Sequence, residues 1–264
     1  MALFKRCSFC VVTGASRGLG REIAVQLAQG WSQQGVQSDL VLVSRTEKDL
    51  QAAKADIESS SPGTSVHVIP ADLQDLSAIH EAFSRCAAVA AESSKKHEQF
   101  VIVHDAGSAG DITQPIVQQT DPSVLQEQLA LNFTSMSILT SLFLSRFTSG
   151  ERVVVNISSL LAKVHLAGFA MYSASRAARN ALVGTFAAEN PDVRFLTYTP
   201  GPCMTDMFKS IADSSHSQST RDMFQGQIER SEVLTCRESI SKLMELLREN
   251  RFENAAVIDY YDKM

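Results

Sequence analysis

The chain has 264 residues, of which 44% are hydrophobic and 20% charged, and its formal net charge is −5. These values are ordinary for a soluble globular protein and allow one large domain or two small ones. They leave no basic footprint for nucleic acid. Five cysteines (Cys7, Cys10, Cys86, Cys203 and Cys236) are an odd number. Cys7 and Cys10 have metal-ligand spacing, but no second cysteine or histidine pair completes a set. They also lie in an apolar, strand-like run, so buried thiols in a reducing compartment are expected and a metal is not. The opening "MALFKRCSFCVVTG" has a basic pair and a short apolar stretch that ends in a glycine turn, too short for a secretory signal. No run approaches the ~20 apolar residues of a membrane span. A cytoplasmic protein without a membrane partner is the expectation.

Short β-branched runs alternate with longer helical segments. "CSFCVVTG" reads as a first strand, and "GREIAVQLAQGW" as a helix with Ile23, Leu27 and Trp31 at helical spacing. "DLVLVSR" is a second strand and "EKDLQAAKADIESS" a second helix. "SVHVIPADL" is a third strand, followed by a helix from about Leu76 to Ala91. "QFVIVHDAG", "RVVVNISS" and "VRFLTYTPG" supply strands four to six, and "AAVIDYY" a late seventh. Continuous apolar strands alternating with helices predict an α/β fold, a doubly wound parallel sheet (a Rossmann fold) with helices on both faces. No linker or repeat divides the chain, so residues 1–264 read as a single domain. Long apolar faces run from about Ser123 to Arg146 and from about Ser173 to Glu189; periodicity alone allows core helices or an interface. The polar stretch at 209–227 reads as a solvated excursion or a flexible lid, with helical character in its second half.

"VVTGASRGLG" places Gly14, Gly18 and Gly20 directly after the first strand and at the start of a helix. Such a turn, Gly14-Ala15-Ser16-Arg17-Gly18-Leu19-Gly20, brings backbone close to a pyrophosphate, and the helix N-terminus offers unpaired N–H groups to the anion. Sites for NAD usually carry a carboxylate at the end of the second strand; here that strand ends Val43-Ser44-Arg45-Thr46. Arg17 and Arg45 are instead suited to a 2′-phosphate, which favours NADP(H). Past the third strand, Asp72 and Leu73 are placed to border the adenine, although Asp72 is also a plausible helix cap.

"VVVNISSLLAKVHLAGFAMYSASR" is the second constellation. Ser159 ends the fifth strand, and its hydroxyl can hold a substrate carbonyl. Tyr172 can donate the proton that the oxygen needs once hydride reaches the carbon. Arg176 follows Tyr172 at i+4, on the same helix face.

Together "TGASRGLG", "ADL", "HDAG", "LNFTS", the Ser–Tyr pair and "PGP" resemble the short-chain dehydrogenase/reductase family over nearly the whole chain. The resemblance implies a carbonyl–alcohol oxidoreductase with Ser159, Tyr172, the basic residue at 176 and Asn132 as its catalytic tetrad. Asn132 would hold a water that links the basic residue to solvent. It also implies a homodimer built on the two long helices. Within the family, "LNFTSM", "VVNISSL", "MYSASRAARNAL", "YTPGP" and the tail "VIDYYDK" are most similar to the pterin carbonyl reductases of tetrahydrobiopterin synthesis. That likeness implies a small pterin substrate, with Asp259 anchoring the ring and Gly201 against the substrate. Cys203, Met204, Thr205, Asp206, Met207 and Phe208 would lie around the nicotinamide end of the cofactor.

Two departures bear on activity. Family members commonly have Asn-Asn-Ala-Gly where this chain has His104-Asp105-Ala106-Gly107, and lysine where it has Arg176. His104 reads as a packed strand-end residue. Asp105 can accept the bonds of an asparagine but not donate, and it adds negative charge beside the cofactor. Arginine can hold a ribose and supply positive charge, but it cannot readily give up a proton. Arg179, three residues on, reads as a solvated or interface charge. Three readings stand at this stage: a slow pterin carbonyl reductase, a reductase of other ketones, and a catalytically silent NADPH-binding protein.

Overall fold

The computed structural model describes residues 3–263. Seven parallel strands form one sheet in the order β3-β2-β1-β4-β5-β6-β7. They are β1 (Ser8–Thr13), β2 (Ser38–Ser44), β3 (Thr64–Pro70), β4 (Gln99–His104), β5 (Glu151–Ile157), β6 (Arg194–Thr199) and β7 (Ala256–Asp259). All seven strands expected from the sequence are present. The direction of winding reverses at β1, which pairs β2 on one side and β4 on the other. A crevice opens at such a reversal, outside the carboxyl ends of the strands.

Alternation along β1 shows why both faces are covered. Cys10 and Val12 point into one core with Ile23, Leu27 and Trp31 of α1 (Gly18–Gln33). Phe9 and Val11 point into the other with Phe83 of α3 (Ile79–Glu92) and Phe143. A strand buried on both sides has no polar face to offer, hence its unbroken apolar run. The remaining crossovers use α2 (Glu47–Ser60) and, after β4, α4 (Pro122–Leu129) and α5 (Ser135–Arg146). Between these two the expected continuous helix opens into a π-helical turn at Ala130–Thr134, which carries Asn132. Such turns insert a residue into the helical ladder and re-aim side chains.

After β5 come a 3-10 turn at Leu160–Ala162 and α6 (Ala170–Glu189). The polar stretch near 209–227 is two helices, α7 (Asp206–Ser214) and α8 (Gln218–Glu229). They lie over the carboxyl edge because their apolar faces have a partner there: Phe208, Ile211 and Phe224 pack with Ile112, Phe169 and Tyr172 in a third, smaller core. The last helix, α9 (Cys236–Glu249), opens on a capping box of Thr235 and Glu238. The five cysteines are unpaired; burial pushes the thiols of Cys86 and Cys203 up to about 12. No helix among the described residues is long and apolar enough to cross a membrane.

Candidate active site

The glycine turn joins β1 to α1. Gly14 has φ +73°, and a Cβ there would lie 2.9 Å from the Ala106 nitrogen, so the turn and the end of β4 touch backbone to backbone. The N–H groups of Gly14 and Ala15 both donate to the Val43 carbonyl, at 2.8 and 3.3 Å. The Ala15 side chain faces the core, so any ligand in the turn is met by its later residues. Arg17 occupies the N-cap position of α1 and makes no side-chain cap bond, leaving the helix N-terminus for an anion. Arg45 and Thr46 are exposed past β2, and no carboxylate ends that strand. Arg17 pairs with Asp206 at 3.1 Å, with both side chains largely exposed, which joins the turn to the start of α7. Thr205 caps α7 through Phe208 N–H, and its methyl comes within 3.5 Å of a Cβ built on Gly18. Cys203 is buried and its backbone bridges to Leu234; Met204 and Met207 are partly buried. Leu73 sends its side chain into the core, while Asp72 is exposed and accepts the Gln74 N–H at 3.0 Å. Asp75, not Asp72, caps the following 3-10 turn.

Tyr172, Arg176 and Arg179 lie at i, i+4 and i+7 on the buried face of α6. Tyr172 is 8% exposed and packs edge-on to Phe169. The Arg176 guanidinium lies 4.8 Å from the centre of the Tyr172 ring. Its Nη1 donates to the Ile157 carbonyl at 3.0 Å, tying α6 to the end of β5 two residues before Ser159. Ser159 accepts Leu161 N–H through its hydroxyl oxygen at 3.2 Å. Gly107 makes room for the arginine: a Cβ there would fall 2.3 Å from Arg176 Nη2 and 2.9 Å from Asn132 Oδ1. Asn132 is fully buried and clamps Ser108, accepting its N–H and donating to its carbonyl, both at 2.9 Å. The four tetrad positions therefore share one neighbourhood at the carboxyl edge. Arg176 Nε is buried and has no hydrogen-bond partner. A lone buried donor is costly unless an acceptor arrives, so this atom and the uncapped α1 fit a ribose- and phosphate-bearing cofactor.

Arg179 corrects the sequence reading. It is not a solvated or interface charge but fully buried, donating to Asn156 Oδ1 at 2.8 Å and to the His104 carbonyl at 2.7 Å. It laces α6 to β5 and to the end of β4. The signal was available: i+7 from Tyr172 returns to the same helix face. His104 is a packed residue, 2% exposed, with Nε2 3.0 Å from Thr140 Oγ1, and burial keeps its ring neutral. The Asp105 carboxylate lies against the phosphate turn, 2.7 Å from a Cβ built on Gly20 and 3.2 Å from one on Gly14. Burial pushes it up to about 6, while Arg176, Arg179 and the Gly20 N–H act in the opposite direction.

At the far side, β7 ends in Asp259, directly beside Thr199 at the end of β6. Its Oδ1 accepts the Tyr261 N–H at 3.0 Å. Gly201 has φ +71°, and a Cβ there would meet Leu234 at 3.1 Å and Tyr260 and Tyr261 at 3.5 Å, so Gly201 and the tail close on one another. A cavity of about 470 Å³ lies beside α6, lined by its Ser173, Ala174 and Ala177, by His165 and by His216. Neither Tyr172 nor Ser159 lines it, although Met171 and Ser173, on either side of the tyrosine, do.

The family model for short chain dehydrogenases matches residues 8–216. Sepiapterin reductase of Bos taurus is 34% identical over 259 residues, 97% of this chain and 95% of that protein. Sepiapterin reductase of Meriones unguiculatus is 35% identical over 262 residues, 97% of each. A benzil reductase of Bacillus subtilis is 30% identical over 214 residues, 78% of each chain. Among solved structures, a short-chain dehydrogenase/reductase of Saccharomyces cerevisiae superposes with a TM-score of 0.80 over 97% of this chain and 96% of its own, at 23% identity.

Proposed function

From the premise that this chain belongs to the short-chain dehydrogenase family and is an NADP-dependent oxidoreductase, we propose that it reduces a pterin side-chain carbonyl, of the sepiapterin or 6-pyruvoyl-tetrahydropterin type, in tetrahydrobiopterin synthesis. The observation behind this reading is that two sets of residues lie along one sheet edge: the Tyr172–Arg176 pair bonded to β5, and Asp259 at the end of β7. The likeness to sepiapterin reductases, which covers 97% of the chain, supports it.

NADPH, when bound, supplies the hydride. Arg17 and Arg45 would hold its 2′-phosphate, the α1 N-terminus its pyrophosphate and Arg176 its ribose. Ser159 holds the substrate oxygen and Tyr172 protonates it, both at the carboxyl edge. Asp259 accepts from the N–H donors of the pterin ring, a paired contact between a carboxylate and two donors. Arg176 keeps a fixed positive charge on the tyrosine ring and does not pass protons onward, so Tyr172 recharges from water and turnover is slow. The protein acts in the cytoplasm as a homodimer; the outer face of α6 presents only small side chains at Ala174, Ala177, Ala181 and Gly184, all exposed, which suits close approach of a second copy.

The test is to mix purified protein with NADPH and sepiapterin and follow NADPH absorbance. Sepiapterin-dependent oxidation that collapses in Asp259→Ala, while a small diketone is still reduced, is the expected result. Equal loss on both substrates would remove Asp259 from pterin binding. NADPH binding without oxidation would favour a silent binding protein.

A further inference from the structure

Asp105 places a negative charge against the phosphate turn, where it works against an anionic ligand. Its carboxylate sits between Gly14 and Gly20, at the first turn of α1, where the helix offers its positive end. No side chain among the described residues donates to it. We propose that Asp105 links cofactor capture to a proton: the anionic dinucleotide binds together with a proton taken up by this carboxylate, and affinity falls as the pH rises past neutrality. The inference rests on the dinucleotide reading of the site and adds a regulation to it.

The argument is one of position. A carboxylate at a helix N-terminus is stabilised by the same N–H groups and dipole that would hold a pyrophosphate. Two anions cannot share that end without cost, and the one that can be neutralised by a proton is the carboxylate. The surroundings leave it able to respond. Arg176 and Arg179 face it from α6 and favour its charge, but no ion pair forms with either among the described residues. His104, the preceding residue on β4, is neutral. The thiols of Cys203 and Cys236, from the segment after β6 and from α9, are held protonated by burial. Thr13 accepts the Asp105 backbone N–H at 3.2 Å and leaves the carboxylate alone. Burial has already brought this carboxyl to about 6, so a further rise on binding falls within the physiological range.

The experiment measures the NADPH dissociation constant from pH 5 to 8.5, by the change in NADPH fluorescence, for the wild type and for Asp105→Asn. Asparagine keeps the shape and the acceptor and removes the charge. The 2′-phosphate also titrates, near pH ~6, but it does so identically for both proteins, so the ratio of their constants isolates Asp105. The expected ratio is near one at pH 5, with the wild type binding about tenfold more weakly at pH 8.5 for each unit by which binding raises the carboxyl. A ratio that does not change with pH overturns the inference while leaving the dinucleotide site intact. Absence of NADPH binding in both proteins at every pH overturns the dinucleotide reading itself. A second measurement needs no variant: calorimetry of wild-type protein with NADH, which lacks the 2′-phosphate, in two buffers of different ionisation enthalpy at pH 7. Net proton uptake is expected, and none would overturn the proposal.

Discussion

Two aspartates lie at opposite ends of the same sheet and are treated in opposite ways. Asp39, near the amino end of β2, has a side chain only 3% exposed. It accepts from Lys95 Nζ at 2.7 Å, Ser93 Oγ at 2.6 Å, His97 Nε2 at 2.8 Å and His67 Nε2 at 3.2 Å. Burial alone would push this carboxyl up, but the four bonds outweigh it and hold it well below the usual carboxylate range. Asp105, at the carboxyl end, has no side-chain donor, and burial wins. Around Asp39 the amino end of the sheet is closed by its own side chains. At the carboxyl end Asp105 has no side-chain donor and Arg176 Nε has no partner, a bonding capacity that a ligand bound outside the strand ends can complete.

The contrast predicts that changes at the carboxyl end alter chemistry and changes at the amino end alter stability. Tyr172→Phe keeps the ring among Phe169, Phe208 and Phe224 and removes only the proton donor. Turnover should fall by about 10²–10⁴-fold, with the melting temperature unchanged; a protein that melts early, or one that keeps its turnover, would break the division. Asp39→Ala should do the reverse. It leaves the half-buried Lys95 and His97 without their partner and should cost about 2–4 kcal/mol in denaturant unfolding, with kcat per folded molecule unaltered. In the wild type, Asp39 contributes stability above the ordinary carboxylate range that is lost as the pH falls below ~4; the variant's unfolding free energy should therefore lose less on acidification.

Asp105→Asn sharpens the comparison because its sign is inverted. A carboxyl raised to about 6 when folded does not burden the folded state below the ordinary carboxylate value of ~4; the burden builds as the pH rises from there through about 6 and is complete above it. Removing the charge should leave stability unchanged near pH 4 and raise it by about 1–3 kcal/mol at pH 8. Urea titrations at the two pH values would show it; a variant less stable at pH 8 would mean that Asp105 is a satisfied structural carboxylate like Asp39.

The strands, their order of appearance and the glycine turn were legible in the sequence because each depends on a local pattern: apolar runs for strands covered on both faces, and glycines where β1 meets α1. Ser159 and Tyr172 were singled out by their spacing and Asn132 by the family resemblance. Three features were not legible. The π-helical turn at Ala130–Thr134 leaves the hydrophobic period almost intact, so the two helices read as one. The stretch near 209–227 read as a solvated excursion or a flexible lid because few of its residues are apolar; two of those few, Ile211 and Phe224, find a core with the neighbouring Phe208 only when Phe169 and Tyr172 are brought beneath them. Arg179 was misread because a charged side chain is rarely buried without a carboxylate, and its partners are carbonyl oxygens from distant strands.

The smallest expected effect comes from Arg176→Lys. The arginine is not a poor fit in the space it occupies: Gly107 accommodates its head, Ile157 accepts one N–H and the tyrosine ring lies against its plane. Lysine would keep the charge, lose the stacking contact and leave room beside Gly107 and Asn132. It would also add what arginine lacks, a cation able to exchange protons. Turnover of sepiapterin should rise by up to about tenfold, equivalent to ~1.4 kcal/mol in the barrier. Because the gain lies in resupplying the Tyr172 proton, it should appear in kcat more than in KM and should be accompanied by a larger solvent isotope effect on the wild type than on the variant. A fall in kcat instead would mean that the site has been rebuilt around the guanidinium, with Asp105, Gly107 and Arg179 as its fitted surroundings, and that the arginine is the residue this particular active site requires.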